Sequence, residues 1–242
     1  MEKLSLYDLL SLLLPGIIFI FFLNTLSSIY GLTPSWIVND NWTSSIGISL
    51  CFALIAGAAL YATNFYLVKN IKWYNRIFCM YKHVADIYFE KGFLHKLMGE
   101  TLNSKAKDWY NKEIFYTKDD YYKKSNEEQK SIKDNQDEYY DRMYYELDNN
   151  GKIEHARAFQ SFYFFFRQTV LACSLLLIIH TIIYTVCFIP CSCIKAPEFY
   201  SALYIFIVLT ILLITSAKLA QWYRKQMVIK MYWTYFTHLN NK

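Results

Sequence analysis

The sequence predicts an all-α membrane protein with four transmembrane helices, arranged as two hairpins with a helical cytoplasmic insert between them. Composition is the first reason, because 55% of the residues are hydrophobic and 19% are aromatic, which is more apolar material than a soluble domain normally contains. Clustering is the second reason. The apolar residues form four runs, and each is close to the roughly 20 residues that a helix needs to cross a hydrocarbon core of about 30 Å.

The four predicted spans carry no aspartate, glutamate or arginine at their centres, and they cover residues 9–29, 46–67, 169–189 and 200–220. Two short connections, 30–45 and 190–199, join these spans in pairs. The chain therefore divides into an N-terminal transmembrane hairpin (1–67), a cytoplasmic helical insert (68–168), a C-terminal transmembrane hairpin (169–220) and a cytoplasmic tail (221–242).

The distribution of lysine and arginine orients these spans. The connection 30–45 has neither residue and 190–199 has only Lys195, whereas the insert 68–168 holds 18 of them. By the positive-inside rule, both termini and the insert are cytoplasmic. The tyrosine-rich composition, with lysine favoured over arginine, suggests an AT-rich bacterial genome. The expected location is therefore the bacterial inner (cytoplasmic) membrane.

Small residues recur at a spacing of four in the second span, where Ala53 precedes Gly57 and Ala58 precedes Ala62. Such pairs allow close backbone approach, which holds membrane helices together where lipid supplies no hydrophobic force. We predict these four residues to be helix-packing positions, either within one chain or between copies of it. A homo-oligomer in the lipid bilayer is the expected assembly.

The candidate intramembrane polar residues are Asn24 in the first predicted span and His180 in the third. His180 is the twelfth of the 21 residues of 169–189, and an ionisable side chain close to the midplane is a functional candidate by default. It would act as a proton relay or a pore constriction in a small ion channel or transporter. The alternative is a neutral imidazole in the packed bundle, hydrogen-bonded to Asn24, Ser49 or a backbone carbonyl.

The segment 155–189 leads from the insert into the third span without a proline or glycine, so we expect one continuous helix there. Arg157, Tyr163 and Arg167 lie at its polar end among several phenylalanines. Aromatic and basic residues gather in this way where a helix crosses the membrane interface. These three residues form a candidate cytoplasmic interface.

Candidate chemistry is scarce, since the common catalytic and nucleotide-binding motifs are absent and no cofactor is expected. Cys187, Cys191 and Cys193 can form a disulfide, but their spacing matches no strong metal pattern, so no metal is expected. Arg76 and His83 lie two turns apart on one predicted helix. Their spacing resembles the R-x(4-6)-H signature of HEPN ribonucleases, in which arginine and histidine act on an RNA phosphate. The alternative is a solvent-exposed face of salt-bridging residues.

Charge in the insert separates into a basic and an acidic half. Residues 69–118 hold ten lysines and arginines against five acidic residues, and residues 119–148 hold five against ten. The insert is therefore close to neutral as a whole. Strong nucleic-acid binding, which needs a basic surface, is not expected.

Short motifs and the topology together resemble a family of membrane proteins. The motifs are Leu4-Ser5-Leu6-Tyr7-Asp8-Leu9-Leu10 with Leu14-Pro15-Gly16, and the later pattern of Arg157, Phe162, Tyr163, Phe165 and Arg167. They resemble the small multi-pass accessory membrane proteins that bacteria encode beside anti-phage systems, namely type VI-B CRISPR ribonucleases and the RADAR adenosine-deaminase system. The resemblance implies a non-enzymatic accessory or effector role in phage defence. It implies a soluble, nucleic-acid-directed enzyme as partner and no catalytic residues in this chain.

Overall fold

The computed structural model describes residues 6–32, 42–78, 125, 127, 141, 143–189 and 197–240. All regular secondary structure in these residues is helical, which confirms the predicted all-α class. The helices are α1 (Leu6–Ile29), α2 (Trp42–Asn70), α3 (Lys72–Phe78), α4 (Glu154–Val186) and α5 (Phe199–Asn240), with further helical residues at 143–149.

Four helices are long and apolar enough to cross a membrane, which confirms the predicted number of spans. The apolar parts are Ser11–Ile29 in α1, Gly47–Asn70 in α2, Ala156–Val186 in α4 and Phe199–Met231 in α5. A multi-pass membrane protein is therefore the class that the fold supports. The pairing of all four spans into two hairpins stays a prediction.

The helices α4 and α5 are longer than the spans predicted within them. α4 has 33 residues and begins at Glu154, which confirms the continuous helix predicted to lead from the insert into the third span. α5 has 42 residues and ends at Asn240, whereas the predicted span ends at residue 220. No proline or glycine interrupts either segment, so the helix continues where the apolar run has ended. At 1.5 Å per residue α5 is about 63 Å long, roughly twice the thickness of a hydrocarbon core.

The chain divides into two compact units, and α4 and α5 contribute residues to both. The first unit comprises Met1–Phe78 and Ser161–Tyr223, and the second comprises Cys79–Gln160 and Arg224–Lys242. In the first unit, buried side chains from α1, α4 and α5 form one apolar cluster: Leu26, Tyr30, Cys173, Leu176, Ile205 and Leu209. A smaller cluster of Leu60, Leu171 and Ala172 packs α2 against α4.

The helices α1 and α2 approach each other closely at Gly16 and Gly57. A Cβ atom added to Gly16 would collide with the carbonyl of Ala53 and lie 2.9 Å from the Gly57 nitrogen. A Cβ atom added to Gly57 would collide with the carbonyl of Leu12. Backbone therefore lies against backbone here, which only glycine permits.

Glycine also ends α1. Gly31 has a φ of 64°, and its N–H donates to the Ser28 carbonyl at 3.2 Å while the Leu32 N–H donates to the Ser27 carbonyl at 2.7 Å. These two bonds form a Schellman motif, which satisfies the last carbonyls of the helix. Gly151, also at a φ of 64°, ends the helical residues 143–149 in the same way, as the sequence Asn149-Asn150-Gly151 predicts.

Replacing Gly57 with alanine will separate α1 from α2. The added methyl group meets the Leu12 carbonyl, which belongs to a helix and cannot move alone, so we expect a loss of about 1–3 kcal/mol of unfolding free energy. Denaturant unfolding of the purified protein in detergent measures this loss. Gly47→Ala is the matched control, because open space surrounds Gly47 in the same helix. Equal stability of the two variants would show that the close contact is dispensable.

Candidate functional site

The main polar site of the first unit is built around Arg167. Its side chain is only 4% exposed, although arginine is among the residues that proteins bury least. The helical spacing of four places Tyr163 on the same face of α4, and Nη1 of Arg167 donates a hydrogen bond of 3.0 Å to the Tyr163 hydroxyl. Two of the three predicted interface residues therefore lie together.

The Tyr163 hydroxyl also connects α4 to α3. While it accepts the hydrogen bond from Arg167, it donates one of 2.8 Å to the backbone carbonyl of Phe78, the last residue of α3. The bond therefore runs between two helices. Tyr163 fixes Phe78 of α3 against α4.

A second pair of hydrogen bonds adds α2 to the site. Asn64 donates through Nδ2 to the backbone carbonyl of Arg167 at 3.0 Å, and it accepts through Oδ1 from the Tyr74 hydroxyl at 2.9 Å. Asn64 is fully buried and Tyr74 is 6% exposed. We call Asn64, Tyr74, Tyr163 and Arg167 the Arg167 cluster. Its bonds tie α2, α3 and α4 together.

The charge of the Arg167 cluster is stabilised by aromatic rings. The guanidinium carbon lies 5.0 Å from the ring centres of both Tyr163 and Phe164, within the range of a cation–π interaction. Among the residues described, no carboxylate forms a salt bridge with it, and its Nε atom has no hydrogen-bond partner. The neighbouring Gln168 is fully buried, and neither atom of its amide finds a partner there. Such groups are costly to bury, so they lower the stability of this arrangement.

His180 lies near the other end of α4, six residues before Val186. Its Nδ1 atom is 3.0 Å from the hydroxyl of Tyr30, in the turn that follows α1. Burial raises the pKa of the Tyr30 phenol to about 12, so the phenol keeps its proton. The imidazole ring also lies 6.3 Å from the ring of Phe206 in α5, measured between the ring centres. His180 therefore joins α1, α4 and α5 as a packed, hydrogen-bonded side chain, and Asn24 and Ser49 are not its partners.

A cavity of about 240 Å³ lies beside His180, between α4 and α5. Its walls are mostly apolar, and they comprise His180, Thr181, Tyr184, Phe199, Ala202, Leu203 and Phe206. The Thr181 hydroxyl donates to the Leu177 carbonyl of its own helix. Apart from His180 and Tyr184, the cavity offers little polar chemistry to a ligand.

Asn24 and Ser49 line a different space, a groove of about 310 Å³ between α1 and α2. Both residues are exposed. The four predicted packing residues of α2 fall on two faces, since Ala53 and Gly57 are buried while Ala58 and Ala62 are exposed. The first pair lies against α1.

The second unit holds the remaining interface residue, Arg157, whose Nη2 atom lies 2.7 Å from Oδ1 of Asp148. A buried histidine, His238, lies in the same unit. Its Nδ1 atom is 2.7 Å from the Lys152 ammonium, and its Nε2 atom is 3.9 Å from Oε1 of Glu146. Because the ammonium can only donate, Nδ1 accepts and the imidazole proton lies on Nε2, facing the carboxylate.

The candidate catalytic pair, Arg76 and His83, lies largely outside the described residues. Arg76 belongs to α3, but its side chain and the whole of His83 lie outside the described residues, as do Cys191 and Cys193. In the described part of the chain, no group of three or more histidine, cysteine, aspartate or glutamate side chains could hold a metal ion.

The fold and these sites define the chain as an all-α membrane protein with four candidate spans and a buried arginine cluster. Comparisons with protein-family models, with curated proteins and with solved structures find no match to it. Its function must therefore be inferred from its own residues.

Sequence reasoning did not anticipate three of the contact residues, Asn64, Tyr74 and Tyr30. Asn64 had a visible signal, because it is a polar residue inside the predicted second span, where amides usually hydrogen-bond between helices. Tyr74 and Tyr30 had none, since both lie outside the predicted spans in a chain with 22 tyrosines.

Replacing Tyr163 with phenylalanine will weaken the joint between α3 and α4. The ring keeps its position beside Arg167, but the guanidinium loses an acceptor and the Phe78 carbonyl loses a donor. We expect a loss of about 1–3 kcal/mol, the cost of leaving buried polar groups unpaired. The unfolding midpoint in detergent measures it. The control is Tyr204→Phe, the same change at a side chain that is 69% exposed in α5. Equal midpoints for both variants would contradict the assigned hydrogen bonds.

Proposed function

We propose that this chain is a non-enzymatic, multi-pass membrane protein of bacterial anti-phage defence. In this proposal it oligomerises in the inner membrane as an accessory or effector protein. Its cytoplasmic helices sense or regulate a soluble, nucleic-acid-directed partner. The four apolar helices support the membrane location, and the resemblance of the opening motif and of the pattern 157–167 supports the role in defence.

The observation that carries the proposal is the hydrogen bond from Tyr163 to the Phe78 carbonyl. Phe78 is the last described residue before the long segment 79–140, which holds most of the proposed cytoplasmic insert. α3, which precedes this segment, is bonded to α4 through Tyr163 and to α2 through Tyr74 and Asn64. A partner that pulls on or rotates the insert would therefore act directly on two spans.

A sensing role also explains why the Arg167 cluster retains unsatisfied polar atoms. An element that switches must have two arrangements of similar free energy, and a fully satisfied, tightly packed joint would favour one of them too strongly. Within the ranges that the structure describes, Nε of Arg167 and the amide of Gln168, the next residue along α4, have no hydrogen-bond partners. A second arrangement that gave them partners would be close to it in free energy.

The two alternative functions receive less support from the contacts. A channel or transporter would need His180 to face a path for ions, but its imidazole is 4% exposed and hydrogen-bonded to Tyr30. A ribonuclease would use Arg76 and His83. Its only support is their spacing in the sequence, since no contact among the described residues favours this role.

Phage infection of a bacterial host that carries the gene with its natural neighbours tests the proposal. We expect the wild-type locus to reduce phage plating, and a locus that lacks only this gene to lose some or all of that protection. Tyr163→Phe should lower protection towards the deletion level at an equal amount of protein in the membrane, because it cuts the connection to Phe78. Tyr204→Phe should protect as the wild type does.

Two results would contradict the proposal in different ways. If the complete locus and the locus without this gene plate a panel of phages equally, the role in defence is wrong. If the gene is needed but Tyr163→Phe protects fully, the role stands and the Arg167 cluster does not transmit the signal.

A further inference from the structure

An unpaired amide lies on the exposed face of α1. Asn24 falls inside the apolar span Ser11–Ile29, its side chain is exposed, and no hydrogen bond reaches it from the residues described. Lipid tails provide neither donors nor acceptors, and an amide without a partner in such surroundings costs free energy. A hydrogen-bonding group from outside this chain would remove that cost.

The exposed residues around Asn24 follow the spacing of a helix–helix contact. They recur at intervals of three and four along α1, as in the seam of a coiled coil: Leu14, Ile17, Phe21, Asn24 and Ser28. The hydrophobic members of this seam are well exposed, with Phe21 at 63%. The amide therefore belongs to a continuous strip that a second helix could cover.

A groove beside this strip offers space for a large side chain. It is lined by Ile17, Phe21 and Asn24 of α1 and by Ser49 and Leu50 of α2, and its volume is about 310 Å³. A cavity of about 150 Å³ is enough to admit benzene. An exposed phenylalanine from a neighbouring molecule would fit.

We propose that a second copy of this chain occupies the groove, related to the first by a two-fold axis. An amide has both a donor and an acceptor, so Asn24 can pair with the Asn24 of an identical chain. Phe21 borders the groove and is itself exposed, so each copy offers an aromatic side chain and a space to receive one. Such self-complementarity is what a two-fold interface requires. The inference rests on the proposed function, in which the chain oligomerises, and it identifies the surface through which two copies associate.

Energy transfer between separately labelled copies in lipid vesicles tests this dimer. We expect the full-length wild type to associate as the protein-to-lipid ratio rises and to saturate as a dimer. Asn24→Leu should weaken association about three- to twentyfold, the range that a hydrogen bond between membrane helices supplies. Asn24→Gln keeps the amide and should restore much of the association. The thermal transition of each variant checks that it folds.

Phe21→Ala and Phe65→Ala form a matched pair, since both side chains are about equally exposed, at 63% and 61%. Only Phe21→Ala should weaken association. The dimer would be overturned if the wild type stayed monomeric at every protein-to-lipid ratio, or if Asn24→Leu associated as strongly as the wild type. The groove would then hold lipid or another protein. An intact dimer in a locus that gives no phage protection would overturn the proposed function and leave the dimer in place.

Discussion

The hydrocarbon of a bilayer offers no hydrogen bonds, and most features of this structure depend on that constraint. Backbone groups must pair within the chain, which the long helices achieve. Polar side chains face the same demand, and the chain meets it with partners of unusual kinds. Arg167 bonds to a phenol and lies against two rings, and His180 bonds to Tyr30. These side-chain contacts of Arg167 lie within α4, whereas the bond from Tyr163 to Phe78 joins α4 to α3 and the bond between Tyr30 and His180 joins α4 to the turn after α1. These polar bonds therefore help to specify how the helices pack.

Close packing stabilises the contacts between helices in this protein, because the hydrophobic effect contributes little within lipid. Lipid tails are as apolar as leucine, so helices in a membrane gain little by burying leucine and must rely on close contact. The crossing of Gly16 and Gly57 is the extreme case, because carbonyl groups of one helix lie where a side chain of the other would begin. Here the interaction depends on the absence of two side chains. Its strength comes from many short backbone contacts.

Hydropathy and composition were sufficient to predict the all-α class and four spans, because both depend on each segment alone. Local spacing was also enough to bring Tyr163 to Arg167, since a separation of four on one helix always places two residues together. Contacts between helices were harder to predict. Two pairs of small residues on α2 were candidates for the contact with α1, and Gly16 was not identified as their partner. The choice depends on how each helix is rotated and how deep it lies in the membrane, which local sequence does not encode. The start of α4 was predicted, because no proline or glycine separates the insert from the third span. The extension of α5 to Asn240 was missed, because hydropathy shows where the apolar run ends and not where the helix ends.

The way Arg167 is held affects how the protein adapts to membranes of different thickness. Long basic side chains near a bilayer edge usually stretch toward water, and that freedom lets a helix shift along the membrane normal. Arg167 lacks it, because its guanidinium is bound to Tyr163 and enclosed at 4% exposure. The three helices of the cluster therefore share one vertical register. A thicker or thinner bilayer must be matched by tilting them together or by deforming the lipid, instead of by sliding one helix past another.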